Sequence, residues 1–180
     1  TIENARFIPP NPVVMETALQ SWETYLQSDD DDPIVQVALA HAQFEIIHPF
    51  MDGNGRLGRM LIPLLLHQRR ALTRPMFYLS EYLESHRQEY YDRLLAITEE
   101  GDWQGWLTFF ANAVISQAET NLGKVRAIHD LYEELKRRAV EATHSQFAVA
   151  AIDTLFEKPV IQAPEFAKRA GFNNRVTANN

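Results

Sequence analysis

The sequence predicts a mainly α-helical protein: a helical bundle followed by a small C-terminal helix-turn-helix segment. Three observations predict it. Apolar residues recur at helical spacing along most of the chain. The breakers proline and glycine gather mainly between those stretches. Two-residue alternation, the mark of a half-buried strand, is missing except in the first residues.

Phe7-Ile8-Pro9-Pro10-Asn11-Pro12 holds three prolines in four positions, which predicts extended chain through residue 12. A first helix is expected over 13–28, with Val14, Ala18, Trp22 and Leu26 spaced by four. Ser28 to Pro33 contains four consecutive aspartates and reads as a solvated turn, because a calcium loop would need a different ligand spacing and a turn glycine. Pro33 suits the first turn of a second helix. From Ile34 to Ile47 nearly every residue is apolar or small, the pattern of a buried central helix, and Pro49 ends it. Met51 to Gly55 is a loop, and a third helix is expected from Arg56 to Arg70. Residues 80–98 read as one helix carrying Tyr82, Leu83, Tyr90, Tyr91, Leu94 and Leu95. After the Gly101-Asp102 turn, Trp103 opens helical chain that continues or restarts to about Thr143, with heptad-like Val125, Ile128, Leu131 and Leu135. Ala148 to Phe156 is helical, Pro159 breaks it, and Pro164 starts another helix. Ala167 allows close packing, Gly171 allows a turn, and a third short helix is expected from Arg175.

Composition bounds the chemistry. A chain of 180 residues with 46% apolar content forms one good core plus a small appendage. The absence of cysteine excludes disulfides, thiolate zinc sites and a cysteine nucleophile, and fits a reducing cytoplasm. The longest apolar run, Met60 to His67, is too short to cross a bilayer, so no membrane partner is expected. The N-terminus shows no signal-peptide pattern, and Thr1 in place of Met suggests a trimmed chain. A net charge of −7 disfavours non-specific nucleic-acid binding by the whole surface. From Lys158 onward, however, four basic residues face one acidic residue.

The unusual chemistry is concentrated in His48-Pro49-Phe50-Met51-Asp52-Gly53-Asn54-Gly55-Arg56-Leu57-Gly58-Arg59. Gly53, Asn54 and Gly55 tolerate left-handed backbone, which turns successive N–H groups into an anion-binding nest. The nest precedes a helix whose N-terminal N–H groups also favour an anion. Arg56 and Arg59, three apart, share a face of that helix's first turn, where two cations oppose the dipole unless phosphates neutralise them. Asp52 beside a polyphosphate is a magnesium-ligand candidate. His48 is a candidate base near neutral pH. Phe50 is expected to pin the loop into the core. Each of these residues alone has an ordinary structural reading; their conjunction within twelve positions is what points to phosphate chemistry.

That segment resembles the signature of the Fic family, His-Pro-Phe-x-Asp/Glu-Gly-Asn-Gly-Arg-x-x-Arg, at every specified position. The Phe-Ile-Pro-Pro stretch, the Tyr90-Tyr91 pair and Gly101-Asp102-Trp103 with Trp106 are similar to family members too. The resemblance covers about residues 1–125 and implies a Fic-type catalytic domain there. It further implies a connecting helix over 126–144 and a partial winged-helix module over 145–180.

The resemblance implies a protein adenylyltransferase that moves AMP from ATP, with magnesium, onto a Tyr, Thr or Ser hydroxyl of a target protein and releases pyrophosphate. His48 would be the catalytic base and Asp52 the metal ligand. Asp52, Gly53, Asn54, Gly55, Arg56, Leu57, Gly58 and Arg59 would surround the phosphates, with Asn54 helping to cradle the developing charge. Tyr91, together with Tyr90, would lie against adenine. Asn4, Ala5, Arg6 and Phe7 would form one strand of a β-hairpin flap that aligns the target by strand addition. Gly55 favours AMP transfer, because family kinases carry lysine there. The inhibitory Ser/Thr-x-x-x-Glu-Gly/Asn pattern of many members has no match in the chain; Thr98-Glu99-Glu100-Gly101 misses it in spacing. Self-modification and a homodimer belong to the same expectation. The alternative reading is a winged-helix regulator, binding DNA in a longer chain, with a vestigial or AMP-removing site.

Overall fold

The computed structural model describes residues 9–28 and 32–172. Among them the chain is helical throughout and no strand is present. Asn4 to Phe7, where the flap strand is expected, lie outside the described residues.

Helix α1 spans Pro12–Leu26 and α2 spans Pro33–Ile47. Both start the same way, with a side-chain cap followed by proline at the first helical position, where no N–H is needed. The Asn11 side chain accepts the N–H groups of Val13 and Val14 at 3.1 Å. The extended segment therefore ends at Asn11, one residue earlier than expected. Asp32 accepts from Ile34 and Val35 at 2.8 and 3.4 Å, so the last of the four aspartates is a helix cap; Asp29 to Asp31 lie outside the described residues.

Helix α2 is the centre of the core, with Val37, Ala38, Ala40 and Ala42 all buried. Its small residues let two indoles approach its backbone. Trp22 of α1 donates to the Ala40 carbonyl at 2.8 Å, and Trp106 donates to the Ala38 carbonyl at 2.9 Å. Large rings thus lie against α2 with their polar N–H groups satisfied. Helix α3, Asn54–Gln68, packs along α2 and buries Ile62, Leu65 and Leu66.

The single helix expected over 80–98 is two, α4 (Ser80–Ser85) and α5 (Arg87–Glu100), broken at His86. The His86 ring stacks on Tyr82 at 4.0 Å and its Nδ1 meets the Ser85 hydroxyl and the Tyr82 carbonyl, each at 3.0 Å. Local side-chain bonds of this kind compete with the helical ladder. Gly101, at φ 70°, then closes α5, and Asp102 accepts the Gly105 N–H at 2.8 Å as α6 begins. Helix α6 runs unbroken from Trp103 to Thr143, so the stretch continues and does not restart.

By contact the chain divides into two compact units, one through Thr120 and one from Asn121. In the second, α7 (Ala148–Glu157) and α8 (Ala163–Arg169) follow the end of α6. Tyr132 donates to Asp153 at 2.6 Å, and Phe172 sits 5.3 Å from Phe147 and 5.8 Å from Phe166. Gly171, at φ 82°, makes the turn after α8. The helix expected from Arg175 lies outside the described residues. No described helix is long and apolar enough to cross a membrane.

Candidate active site

Helix α2 is apolar almost all round, yet His41 and Glu45 lie on one face of it, and His48 continues that spacing at its C-cap, at i, i+4 and i+7. His48 ends the helix in the left-handed region at φ 50°. Its Nδ1 lies 3.3 Å from the Glu45 carbonyl. A carbonyl only accepts, so Nδ1 is the donor there, and in the neutral ring Nε2 is the nitrogen left to accept a proton. A base needs that tautomer.

The loop that follows is held by Asn54. The Phe50 N–H donates to Asn54 Oδ1 at 2.9 Å, and Asn54 Nδ2 donates to the Phe50 carbonyl at 2.6 Å. Asn54 is 2% exposed. Both ends of its amide are therefore engaged inside the loop, and what it can offer an anion is its backbone N–H. Phe50, expected to pin the loop, is instead 51% exposed; its ring meets Phe44 with centroids 6.5 Å apart. The buried amide does the pinning because it replaces main-chain partners that a tight loop cannot supply for itself.

Gly53 precedes α3 at φ 87°, and α3, unlike α1 and α2, starts with no side-chain cap. Asp52 stands at its mouth. One oxygen accepts the Gly53 N–H at 2.6 Å, and the other lies 3.4 Å from Arg56 Nη2, with both side chains largely exposed. Because α3 begins at Asn54, Arg56 is its third residue and Arg59 its sixth, so each lies two residues deeper in the helix than expected. Leu57 faces outward. Gly58 is buried: a Cβ there would collide with the Glu45 carboxyl and lie 3.2 Å from the His41 ring.

A cavity of about 610 Å³ opens beside His48, lined by Pro9, Ile46, Tyr91, Leu94, Leu95 and Glu45. A second, of about 410 Å³, lies between Arg59, Ser80, Arg87 and the two tyrosines. Tyr91 borders both and is half-exposed, with the Arg87 guanidinium 5.7 Å from its ring centre. Tyr90, expected against adenine alongside it, is 3% exposed and packed in the core. Its hydroxyl donates to His41 Nε2 at 3.0 Å, while His41 Nδ1–H donates to the Gly58 carbonyl at 3.1 Å. Tyr90 thereby ties α5 through His41 to α3. Burial pushes His41 down to about 4, and burial pushes Tyr90 well above its ordinary value.

Sequence reasoning missed His41, Glu45, Ile46, Leu94 and Leu95. Glu45 is held up at about 7 by burial, against the pull of Arg59. The signal was present: a histidine and a glutamate four apart interrupt an apolar helix on the face that leads to His48. Among the described residues no group of three or more His, Asp or Glu side chains could hold a metal. Magnesium asks for less, one or two carboxylates plus phosphate oxygens, and the exposed Asp52 carboxylate fits that demand.

Residues 1–66 match the Fic/DOC family. A protein adenylyltransferase Fic from Aedes aegypti is 34% identical over 108 residues, covering 58% of this chain and 20% of the relative. One from Drosophila mojavensis is 35% identical over the same length and the same shares. The chain thus spans about one fifth of these curated relatives. A crystal structure of a Fic family protein from Desulfovibrio desulfuricans G20 superposes with a TM-score of 0.59 at 21% identity, covering 96% of this chain and 47% of the other. That likeness concerns the fold alone: this chain is similar to a Fic family protein in fold, and to the Fic/DOC family in the sequence of the residues that build the site.

Proposed function

We propose that the chain is the catalytic part of a protein adenylyltransferase, transferring AMP from ATP to a hydroxyl of a target protein. The observation that carries this is the position of His48. His48 lines a cavity of about 610 Å³ and ends the helix just before an uncapped helix start, preceded by Gly53, that carries Arg56 and Arg59.

In this reading the base stacks against Tyr91 among Ile46, Leu94 and Leu95, and the phosphates run to the N-terminus of α3. His48 Nε2 takes the proton of the target hydroxyl. The hydroxyl oxygen forms a bond to the α-phosphorus, and the bond from that phosphorus to the bridging oxygen breaks, releasing pyrophosphate. The backbone N–H groups that start α3 face the charge that develops, with Arg56 and Arg59 against the outer phosphates. The work is positioning and charge stabilisation. Asp52 would hold magnesium, which when bound neutralises phosphate charge. The chain's own hydroxyls are candidate acceptors.

Incubation with ATP labelled at the α-phosphate tests the proposal. Label should appear on a protein acceptor, or on the chain itself, and disappear in His48→Ala. Label transferred only from the γ-phosphate would identify a kinase and refute AMP transfer.

For the second unit, α7 and α8 joined through a short turn and the basic balance after Lys158 support DNA as a partner of a longer chain. Mobility shift with and without residues 145–180 in that longer chain tests it.

A further inference from the structure

A polar bridge runs through the apolar core beneath the site. His41 of α2 is buried, and other helices engage both of its ring nitrogens. Nδ1 meets the Gly58 carbonyl of α3 at 3.1 Å, and Nε2 meets the Tyr90 hydroxyl of α5 at 3.0 Å. The carbonyl can only accept and burial keeps the ring neutral, so Nδ1 donates to Gly58 and the tyrosine donates to Nε2. Trp106 and Phe110 of α6 flank the ring, with centroids 6.1 and 6.2 Å away. Gly58 lets α3 come this close, because a Cβ there would lie 3.2 Å from the His41 ring.

Apolar side chains could fill this space without burying a hydroxyl and an imidazole. What the bonded pair adds is direction and a fixed length: a fully satisfied buried network holds its helices in one register. The helices joined here are those that border the second cavity, of about 410 Å³. Arg59, next to Gly58 on α3, stands on one side of it, and Tyr91, next to Tyr90 on α5, stands on the other. The bridge ties the two sides together from beneath, and His41 itself lines neither cavity.

Taking the nucleotide reading above as its premise, we propose that His41 and Tyr90 are positioning residues: their bridge sets the spacing between Tyr91, where the base rests, and Arg59, where the outer phosphates end. A nucleoside triphosphate spans both sides, so its affinity depends on that spacing. Adenosine meets the wall at Tyr91 alone and is insensitive to it.

Calorimetry of the full chain with magnesium-ATP and with adenosine tests this. Tyr90→Phe keeps the packed ring and removes the hydroxyl. It should weaken ATP about tenfold, the worth of a hydrogen bond, and leave adenosine within about twofold of wild type. His41→Leu combined with Tyr90→Phe removes donor and acceptor together, a change that can leave stability nearly unaltered. That double variant should show the same selective loss of ATP. If the bridge serves stability alone, the melting midpoint of the single variant falls while the ratio of ATP to adenosine affinity stays at the wild-type value in both variants, and the positioning role is overturned. Equal losses of the two ligands overturn it as well. A folded wild-type chain that binds neither ligand refutes instead the nucleotide reading on which the role rests.

Discussion

His41 and Glu45 sit one turn apart on α2, and burial moves their titrations in opposite directions, past each other. His41 is lowered from 6.5 to about 4, so its contribution to stability is present above 6.5 and lost as pH falls through about 4. Glu45 is raised from 4.5 to about 7, so its contribution is present below 4.5 and lost as pH rises through about 7. The two slopes oppose each other between 4.5 and 6.5. Glu45→Gln should therefore unmask a melting temperature that climbs with pH across that window. Above neutral pH it should be more stable than wild type by on the order of 3 kcal/mol. Thermal melts across pH check this, and a Glu45→Gln curve parallel to wild type would contradict it. Gly58→Ala tests the same contact sterically. Its Cβ meets the Glu45 carboxyl, and overpacking there should cost about 1–3 kcal/mol.

At the scale of elements, the start of α3 is where the proposed function places the phosphates, and its shape depends on one buried amide. Asn54→Ala removes two hydrogen bonds to Phe50 and should destabilise the protein by about 1–3 kcal/mol. It should weaken ATP binding more than it weakens the fold, because the loop loses the partner that orients the N–H groups. Comparing the affinity loss with the shift in melting midpoint separates the two effects. The break between α4 and α5 belongs to this scale as well. Periodicity runs smoothly through residues 80–98, and the stop at His86 comes from its stacking on Tyr82 and from Ser85, contacts that a propensity reading does not weigh.

For the whole molecule, the division at Thr120 makes the first unit the candidate catalyst. The buried residues of α6 end at Gln117, and the stripe Val125, Ile128 and Leu131 is exposed. A chain ending near residue 124 should therefore keep a cooperative thermal transition and ATP affinity close to that of the full chain. A large loss of either would show that the second unit supports the first.

The sequence by itself determined the helical class and the buried centre at Ile34 to Ile47, because periodicity and proline and glycine placement are local properties; of the left-handed turn expected over Gly53, Asn54 and Gly55 only Gly53 is left-handed, the other two being the first residues of α3. Only the tertiary structure decided which side chains are free to act. Tyr90 and Tyr91 are neighbours in sequence and alike in chemistry, yet packing between α2, α5 and α6 puts one in the core on His41 and the other on the wall of the cavity. Asn54 turns inward because the loop's main chain lacks other partners. The Glu45 carboxyl fits against Gly58 of another helix, an approach across space that spacing along one chain does not encode.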